Sequence, residues 1–341
     1  MDPQRKRVTI SDVAKSAGVS VAAVSYALNG RPGVSEASRA RILAAADAIS
    51  FRPNSLARSL RKGKSPVVGL LLADIANPYY PEIASGVITG AASKDYQVFL
   101  AHTGLRGEVH GTAVAALLEH QCAGLIFTSA VEDVRPIFAE LLELGVPFVQ
   151  AVRRLEPIAA DFVGIDDRSA ARELATHVLE LGRTRPVILN GPAESSASQD
   201  RLAGFRDALK DHSITSLHPE LVNGELTRES GASRTDLLLE AGDQAPDALI
   251  CGNDMIALGA LDALAERGLR SPADVAVVGY DDMSFASSAS LQLTTVEVPR
   301  HDMGETAAAL LFERMLDPSI PARKVILPHR LIVRRTCGSA A

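Results

Sequence analysis

At the amino end of the chain, apolar positions recur three and four residues apart. Val13, Ala14 and Ala17 share one helical face, and Thr9 with Asp12 gives a capping-box-like start. Gly18 supplies the positive-φ position at which such a helix stops. Ser20 then caps a second helix whose Val24 and Leu28 face inward. Ser35 caps a third, over about 36–49, with Ile42, Leu43, Ala46 and Ile49 as its inner stripe. Two short helices across a glycine turn are a helix-turn-helix, and the third closes an all-α headpiece. Val21, Ala22, Ser25 and Tyr26 fall on the outer face of the second helix. Asn54 and Gly63 bracket a further stretch of about two turns, too short to hold a helix alone in water.

From residue 66 the period changes. Apolar runs at 67–72, 98–101, 124–127 and 147–149 read as buried parallel strands. Helical stretches near 80–93, 108–120 and 134–144 separate them. A second series has strands at 162–165, 187–189, 218–222, 248–251 and 275–278, with helices near 169–181, 200–210, 230–241 and 255–267. Alternation of this kind predicts an α/β body of two doubly wound parallel-sheet subdomains with a cleft between them. One more helix with strand-like flanks, over 294–334, crosses between the two. The expected domains are 1–51 for the headpiece, 52–65 for a hinge helix and linker, and 66–341 for the body. Within the body the first subdomain takes about 66–162 with 294–324, and the second about 163–293 with 325–341.

Charge sharpens this division. The 341 residues carry a net charge of −6. Residues 1–65 nevertheless hold 12 Lys and Arg against 4 Asp and Glu, a net of +8, while the remainder nets −14. A basic head on an acidic body directs any polyanion to the head. Cys122, Cys251 and Cys337 show neither metal spacing nor a disulfide framework, as in a reducing cytosol. The polar start 1–7 does not read as an export signal, and no apolar run reaches a membrane span. Arg5, Lys6 and Arg7 read equally as a phosphate-contacting arm or a solvated tail. No Walker loop, Gly-x-Ser-x-Gly elbow or His-Glu-x-x-His motif occurs, so the chain reads as a binding protein rather than an enzyme, without cofactor or metal.

Head, linker and body together resemble the lac repressor (LacI/GalR) family of bacterial regulators across essentially the whole chain. The resemblance is carried by 9–28, by 52–60, by 67–71 leading to Asn77-Pro78-Tyr79-Tyr80, by Gly191-Pro192 and by Arg201–Phe205. Asn253-Asp254 and Gly279-Tyr280-Asp281-Asp282 add to it. It implies a periplasmic-binding-protein-like body, a homodimer on palindromic double-stranded operator DNA, and a small effector between the subdomains. The DNA-facing residues it implies are Thr9, Ser20, Val21, Ala22, Ser25, Tyr26, Asn29, Asn54, Ala57, Arg58 and Leu60. Leu60 matches the hinge leucine that wedges into the minor groove. Val21 and Ala22 suit thymine methyls, Tyr26 offers one hydrogen bond, and nothing on that face makes a bidentate contact to guanine. Specificity is then expected to lean on methyl contacts and DNA shape.

For the effector, the carboxyl ends of parallel strands are the place to look. Asp74, Thr103, Thr128, Asn253 and Asp281 stand at such ends, and Arg201 opens a helix after a loop over 191–199. By resemblance Arg201, Asn253 and Asp281 match polar effector contacts, and Tyr79 and Tyr80 match pocket aromatics. Asp281 reads also as a cap and Tyr80 also as core. Three positions depart from the family pattern. Val152 stands where many sugar binders have Asp, Leu226 where they often have an aromatic, and Ser195 where the purine-responsive branch has Arg. Arg153 and Arg154 lie just past a strand end, where they read either as partners of an anionic group or as solvated side chains, with solvent the favoured surrounding. A carbohydrate or derivative remains the leading effector class, with a less polar or an acidic metabolite as the alternative. The chain lacks a closing Leu heptad, so no tetramerising helix is expected.

Overall fold

The structure is a computed structural model describing residues 8–28, 31–49, 51, 66–104, 109–216, 218, 221–240 and 245–338. It divides into two compact units, Met1–Ser65 and Pro66–Ala341. The first holds helices α1 (Ile10–Ala17), α2 (Val21–Leu28) and α3 (Glu36–Ala48). The Asp12 carboxylate accepts from the Thr9 amide at 2.9 Å and from its hydroxyl at 2.7 Å, fixing the first turn of α1. Gly18 stands at φ +64 and its amide returns to the carbonyls of Ala14 and Lys15. The Ser20 hydroxyl accepts from the Ala23 amide, and the Ser35 hydroxyl from that of Ser38. Val13, Val24 and Ile42 are wholly buried and form the centre of a small core. The inner stripe of α3 is narrower than its sequence suggests, because Leu43 is exposed. A residue adjacent to Ile42 is turned about 100° from it, past the arc that two eight-residue helices cover.

In the second unit a six-stranded sheet comes first. Its strands are β1 (Val67–Leu72), β2 (Gln97–His102), β3 (Leu125–Phe127), β4 (Phe148–Ala151), β5 (Asp161–Ile165) and β10 (Lys324–Leu327). They lie in the order β10-β5-β4-β3-β1-β2, and every pairing is parallel. Helices α4 (Tyr79–Ala92), α5 (His110–Glu119) and α6 (Arg135–Glu143) are its crossovers. The second sheet joins β6 (Pro186–Leu189), β7 (Ala248–Cys251) and β8 (Ala276–Val278), also parallel, with α7 (Asp167–Glu180), α8 (Ser196–Asp211), α9 (Arg228–Glu240) and α10 (Asp254–Glu266). The inner strands read as unbroken apolar runs because helices cover both faces. Leu70, Ile126, Val163, Ile188 and Leu249 are accordingly buried. None of the helices formed by the described residues is long and apolar enough to cross a membrane.

Three expectations are corrected. Both β5 and β10 belong to the first sheet, so the chain leaves it after Ile165 and again after Leu327, not near 162 and 324. Strand β9 (Thr295–Glu297) pairs antiparallel with β11 (Arg330–Ile332), and Thr294 bridges Val278 of β8. The start of the segment assigned to the first subdomain therefore goes with the second sheet. Third, Leu221 and Val222 form no strand. Their carbonyls accept from the Arg234 guanidinium at 3.2 and 3.1 Å, and Val222 also accepts from the Asn190 amide. A side chain there satisfies the acceptors that a strand neighbour would otherwise take.

The last helix, α11 (Arg300–Leu316), packs across α4. Gly86 and Gly304 make this crossing close: a Cβ on the first would strike the His301 carbonyl, and one on the second that of Ile83. The crossing carries Arg300 to the mouth between the two sheets, where it meets Glu82 at 2.8 Å.

Candidate functional sites: an outward helix and a charged cleft

On α2 the inward positions Val24 and Ala27 are buried, which turns Val21, Ala22 and Tyr26 outward. Val21 is 44% exposed and Tyr26 43%, high for large apolar groups in so small a unit. Ser25 is half-buried at the margin. The Tyr26 ring lies along Gly33, whose missing side chain leaves room for it. Arg39 of α3 donates to the carbonyls of Ala27 and Arg31, both at 2.8 Å. It thereby closes the carboxyl end of α2 with a cation, the favourable sign there. No local pattern marks this contact in the sequence, since its partners lie 12 and 8 residues away. The hydroxyls of Thr9 and Ser20 take part in caps rather than pointing freely outward. The expected contacts Asn29, Asn54, Ala57, Arg58 and Leu60 lie outside the described residues.

The second site lies between the sheets of the body. Asn77, Tyr79, Tyr80, Val152, Arg153, Ser195, Ala197, Ser198, Arg201, Leu226, Asn253 and Asp281 line it. Helix α8 begins at Ser196 behind the cap Ser195, so Arg201 sits in its second turn instead of opening it. Arg201 donates to Asp167 at 2.8 Å and to the Gly252 carbonyl at 2.7 Å, and lies 3.6 Å from Asp281. Its guanidinium stacks 4.0 Å from the Tyr280 ring centre, and the Tyr280 hydroxyl donates to Asp167 at 3.0 Å. All three partners are buried. Burial pushes the Asp167 carboxyl above its ordinary range against the pull of Arg201. It drives Asp281 up to about 7, opposed by Arg201 and Arg300. It also raises Asp254 well above its ordinary range, aided by Asp281. The Tyr79 and Tyr80 phenols rise for the same reason.

The free space enclosed is about 20 Å³, roughly one water molecule. The two tyrosine rings meet edge to face at 5.3 Å and occupy the floor. A metabolite of sugar size would require the two walls to separate or these side chains to swing aside.

Several expected contacts are placed elsewhere. Thr103 and Thr128 donate to the carbonyls of Leu72 and Leu71, both at 3.1 Å, and Thr128 accepts from Ala73. Their hydroxyls tie strand ends together, and neither lines the cleft. The Asp74 carboxylate accepts from the Ala76 amide in its own turn and does not line it either. Asn253 borders the cleft, yet its side chain caps α10 through the Ile256 amide and donates to the Leu226 carbonyl. Tyr79, Tyr80, Arg201 and Asp281 do converge there. Asp281 Oδ1 is buried without a hydrogen-bond partner.

For Arg153 the solvent surrounding favoured from the sequence is corrected. The residue is 2% exposed, not solvated, and it donates to the Tyr80 hydroxyl at 3.2 Å. Val152 before it stands at φ +68, and the Arg153 amide bonds back to the Ala151 carbonyl at 2.7 Å in a three-residue turn. A β-branched residue is rarely found in that conformation. Its neighbour Arg154 behaves differently, pairing with Asp200 and Glu156. Among the described residues only His301, Asp302 and Glu305 cluster closely enough to share a metal ion; all are exposed and none lines the cleft.

Comparison with known proteins agrees with this geometry. Residues 9–54 match the model for bacterial regulatory proteins of the lacI family, and residues 175–337 that for a periplasmic binding protein-like domain. Catabolite control protein A of Priestia megaterium is 30% identical over 96% of this chain and 99% of its own. The HTH-type transcriptional regulator MalR of Streptomyces coelicolor is 32% identical over 97% of each. Among solved structures, the lac repressor dimer bound to operator and an anti-inducer superposes with a TM-score of 0.86 at 28% identity. It covers 97% of this chain and 99% of that one. A complex of the regulator CelR with cellobiose is 30% identical, with a TM-score of 0.72 over 97% and 100%. With an outward helix on a capped helix-turn-helix and a two-sheet body around a charged cleft, the chain belongs to the lacI family of bacterial regulatory proteins, DNA-binding transcriptional regulators.

Proposed function

We propose that this regulator represses transcription as a homodimer on a palindromic operator, and that a small metabolite in the cleft, a carbohydrate or derivative, sets its affinity for that DNA. The observation that carries the reading is the outer face of α2. Val21, Ala22 and Tyr26 project from a helix whose inward side is packed, within a unit of net charge +8. One such face reads one half-site, so a palindrome needs two chains. An apolar sheet edge supports a second copy: β2 ends the six-stranded sheet, with Phe99 41% and Leu100 46% exposed. The domain division proposed is 1–51 for DNA, 52–65 for the hinge and 66–341 for effector and dimerisation. Asn54, Ala57, Arg58 and Leu60 are the proposed hinge contacts.

The cleft acts on the DNA only through unequal affinity for two body conformations. A coupling of about 1–3 kcal/mol changes operator affinity roughly 5–150-fold. The test is selection of bound duplexes from a random pool with the full-length protein. A palindrome with conserved half-sites is expected, bound by a dimer in light scattering. Enrichment without a palindrome, or a monomer on the selected DNA, overturns the reading. Leu60→Ala is expected to weaken binding to the selected operator, with the effector affinity of the free protein retained.

A further inference from the structure

The two arginines that line the cleft, Arg153 and Arg201, and Arg300 beside it are not equivalent. Arg201 holds Asp167, the Gly252 carbonyl and the Tyr280 face. Arg300 holds Glu82 and the carbonyls of Asp281 and Asp282. Arg153 is as buried as either, yet among the described residues the one hydrogen bond of its side chain goes to a neutral phenol, Tyr80. A guanidinium carries five donors and does not lose its charge. Burying it beside a single hydroxyl is unfavourable unless a further partner arrives. The turn at Val152 is a second, independent sign. A valine at φ +68 stores strain, and strain of this kind collects where a side chain must be aimed. Here it aims the following residue into the cleft. Opposite stands Asp281, whose Oδ1 also has no hydrogen-bond partner and which senses the charge of Arg153.

We infer that the effector carries an oxyanion, a carboxylate or a phosphate, that Arg153 grips, and a hydroxyl that donates to Asp281. The inference rests on the effector-cleft reading and narrows it to acidic derivatives. It fits the replacements at Val152 and Leu226, which leave no carboxylate and no aromatic face at those positions for a neutral sugar. A planar guanidinium takes either oxyanion with two parallel hydrogen bonds.

The experiment compares the thermal unfolding of the full-length protein with that of Arg153→Met and Arg153→Lys. Probes are glucose, gluconate, glucose 6-phosphate and sulfate, at ionic strength matched with sodium chloride. In chloride, Arg153→Met is expected to match or exceed the parent Tm, because it removes an undersatisfied buried cation. Gluconate or glucose 6-phosphate should raise the parent Tm more than glucose does, and the stronger of the two distinguishes carboxylate from phosphate. Affinity for that probe should fall on the order of tenfold to a hundredfold in Arg153→Met, as for a lost charged hydrogen bond. Arg153→Lys should retain part of it. Three results overturn the inference: a lower Tm for Arg153→Met in chloride, no oxyanion-specific response in the parent, or an equal response in Arg153→Met. Glucose binding both proteins equally removes the acidic class and leaves the cleft reading standing. A probe that still stabilises Leu226→Trp, in which the cleft is filled, does not bind there and removes the cleft reading itself.

Discussion

The outer face of α2 and the cleft of the body are built on opposite principles. On α2 the side chains proposed to read DNA point away from the fold. Val21 and Tyr26 contribute little to holding the headpiece together, and their neighbours Val24 and Ala27 do that work. In the cleft the side chains proposed to meet the effector are themselves the structure. Arg201, Asp167 and Tyr280 form one buried network in which each satisfies another. Recognition and stability are therefore separable in the headpiece and entangled in the body. A recognition face of the first kind changes specificity without a folding penalty. A cleft of the second kind links ligand binding to the conformation of the walls, which is what an effector requires.

The largest expected effect tests the entanglement. Arg201→Ala leaves Asp167 and Asp281 as buried carboxylates without their cation, and should cost the body about 3–5 kcal/mol, read by denaturant unfolding. A loss of effector response at unchanged stability would show Arg201 to be a simple ligand contact, and the contrast between the two regions would fail.

Next comes pH. The Asp281 carboxyl titrates near 7 in the folded cleft, above its ordinary value of 3.8. The folded state then binds more protons than the unfolded chain between these values. Its contribution to stability is complete below about 4 and is lost as pH rises through 7. Asp167 and Asp254, also raised, have the same sign. The body should thus melt lower at pH 8 than at pH 5.5, and Asp281→Asn should remove part of that slope. An identical slope in Asp281→Asn would mean that the carboxyl is not held in this state.

On the headpiece side, Tyr26→Ala should cost about 1–3 kcal/mol of discrimination at one operator position, while its stability moves by no more than about 0.5 kcal/mol. Competition between operator variants and a melting curve read the two quantities separately. A large melting shift would place Tyr26 in the core rather than on the reading face. The smallest effect belongs to Ser20→Ala, which removes the cap of α2 and should destabilise the headpiece by about 1 kcal/mol. An unchanged melt would show that the hydroxyl serves DNA rather than the helix.

By itself the sequence determined the headpiece and the alternation of the body. Both depend on contacts between near neighbours in the chain: caps at three residues, apolar stripes at three and four, strands as short unbroken runs. The Gly18 turn, the Ser20 cap and the outward set Val21, Ala22 and Tyr26 follow from spacing alone. Tyr79, Tyr80, Arg201 and Asp281 were expected at the cleft because they match a family pattern, Asp281 also because it stands at a strand end, and all four line it. Tertiary structure alone decided the rest. It placed β5 and β10 in the first sheet, because register in a parallel sheet is set by partners more than a hundred residues apart. Thr103 and Thr128 were given to neighbouring carbonyls, since the nearest acceptor of a buried hydroxyl depends on which strand lies beside it. Leu221 and Val222 form no strand, and their carbonyls accept instead from the distant Arg234, that of Val222 also from the Asn190 amide. Arg153 was buried and Arg154 was not, though they are adjacent and identical in type. The turn at Val152 sends one into the cleft, and the other finds Asp200 on a different helix. Charge and polarity are properties of a residue, but burial is a property of what the rest of the chain packs around it.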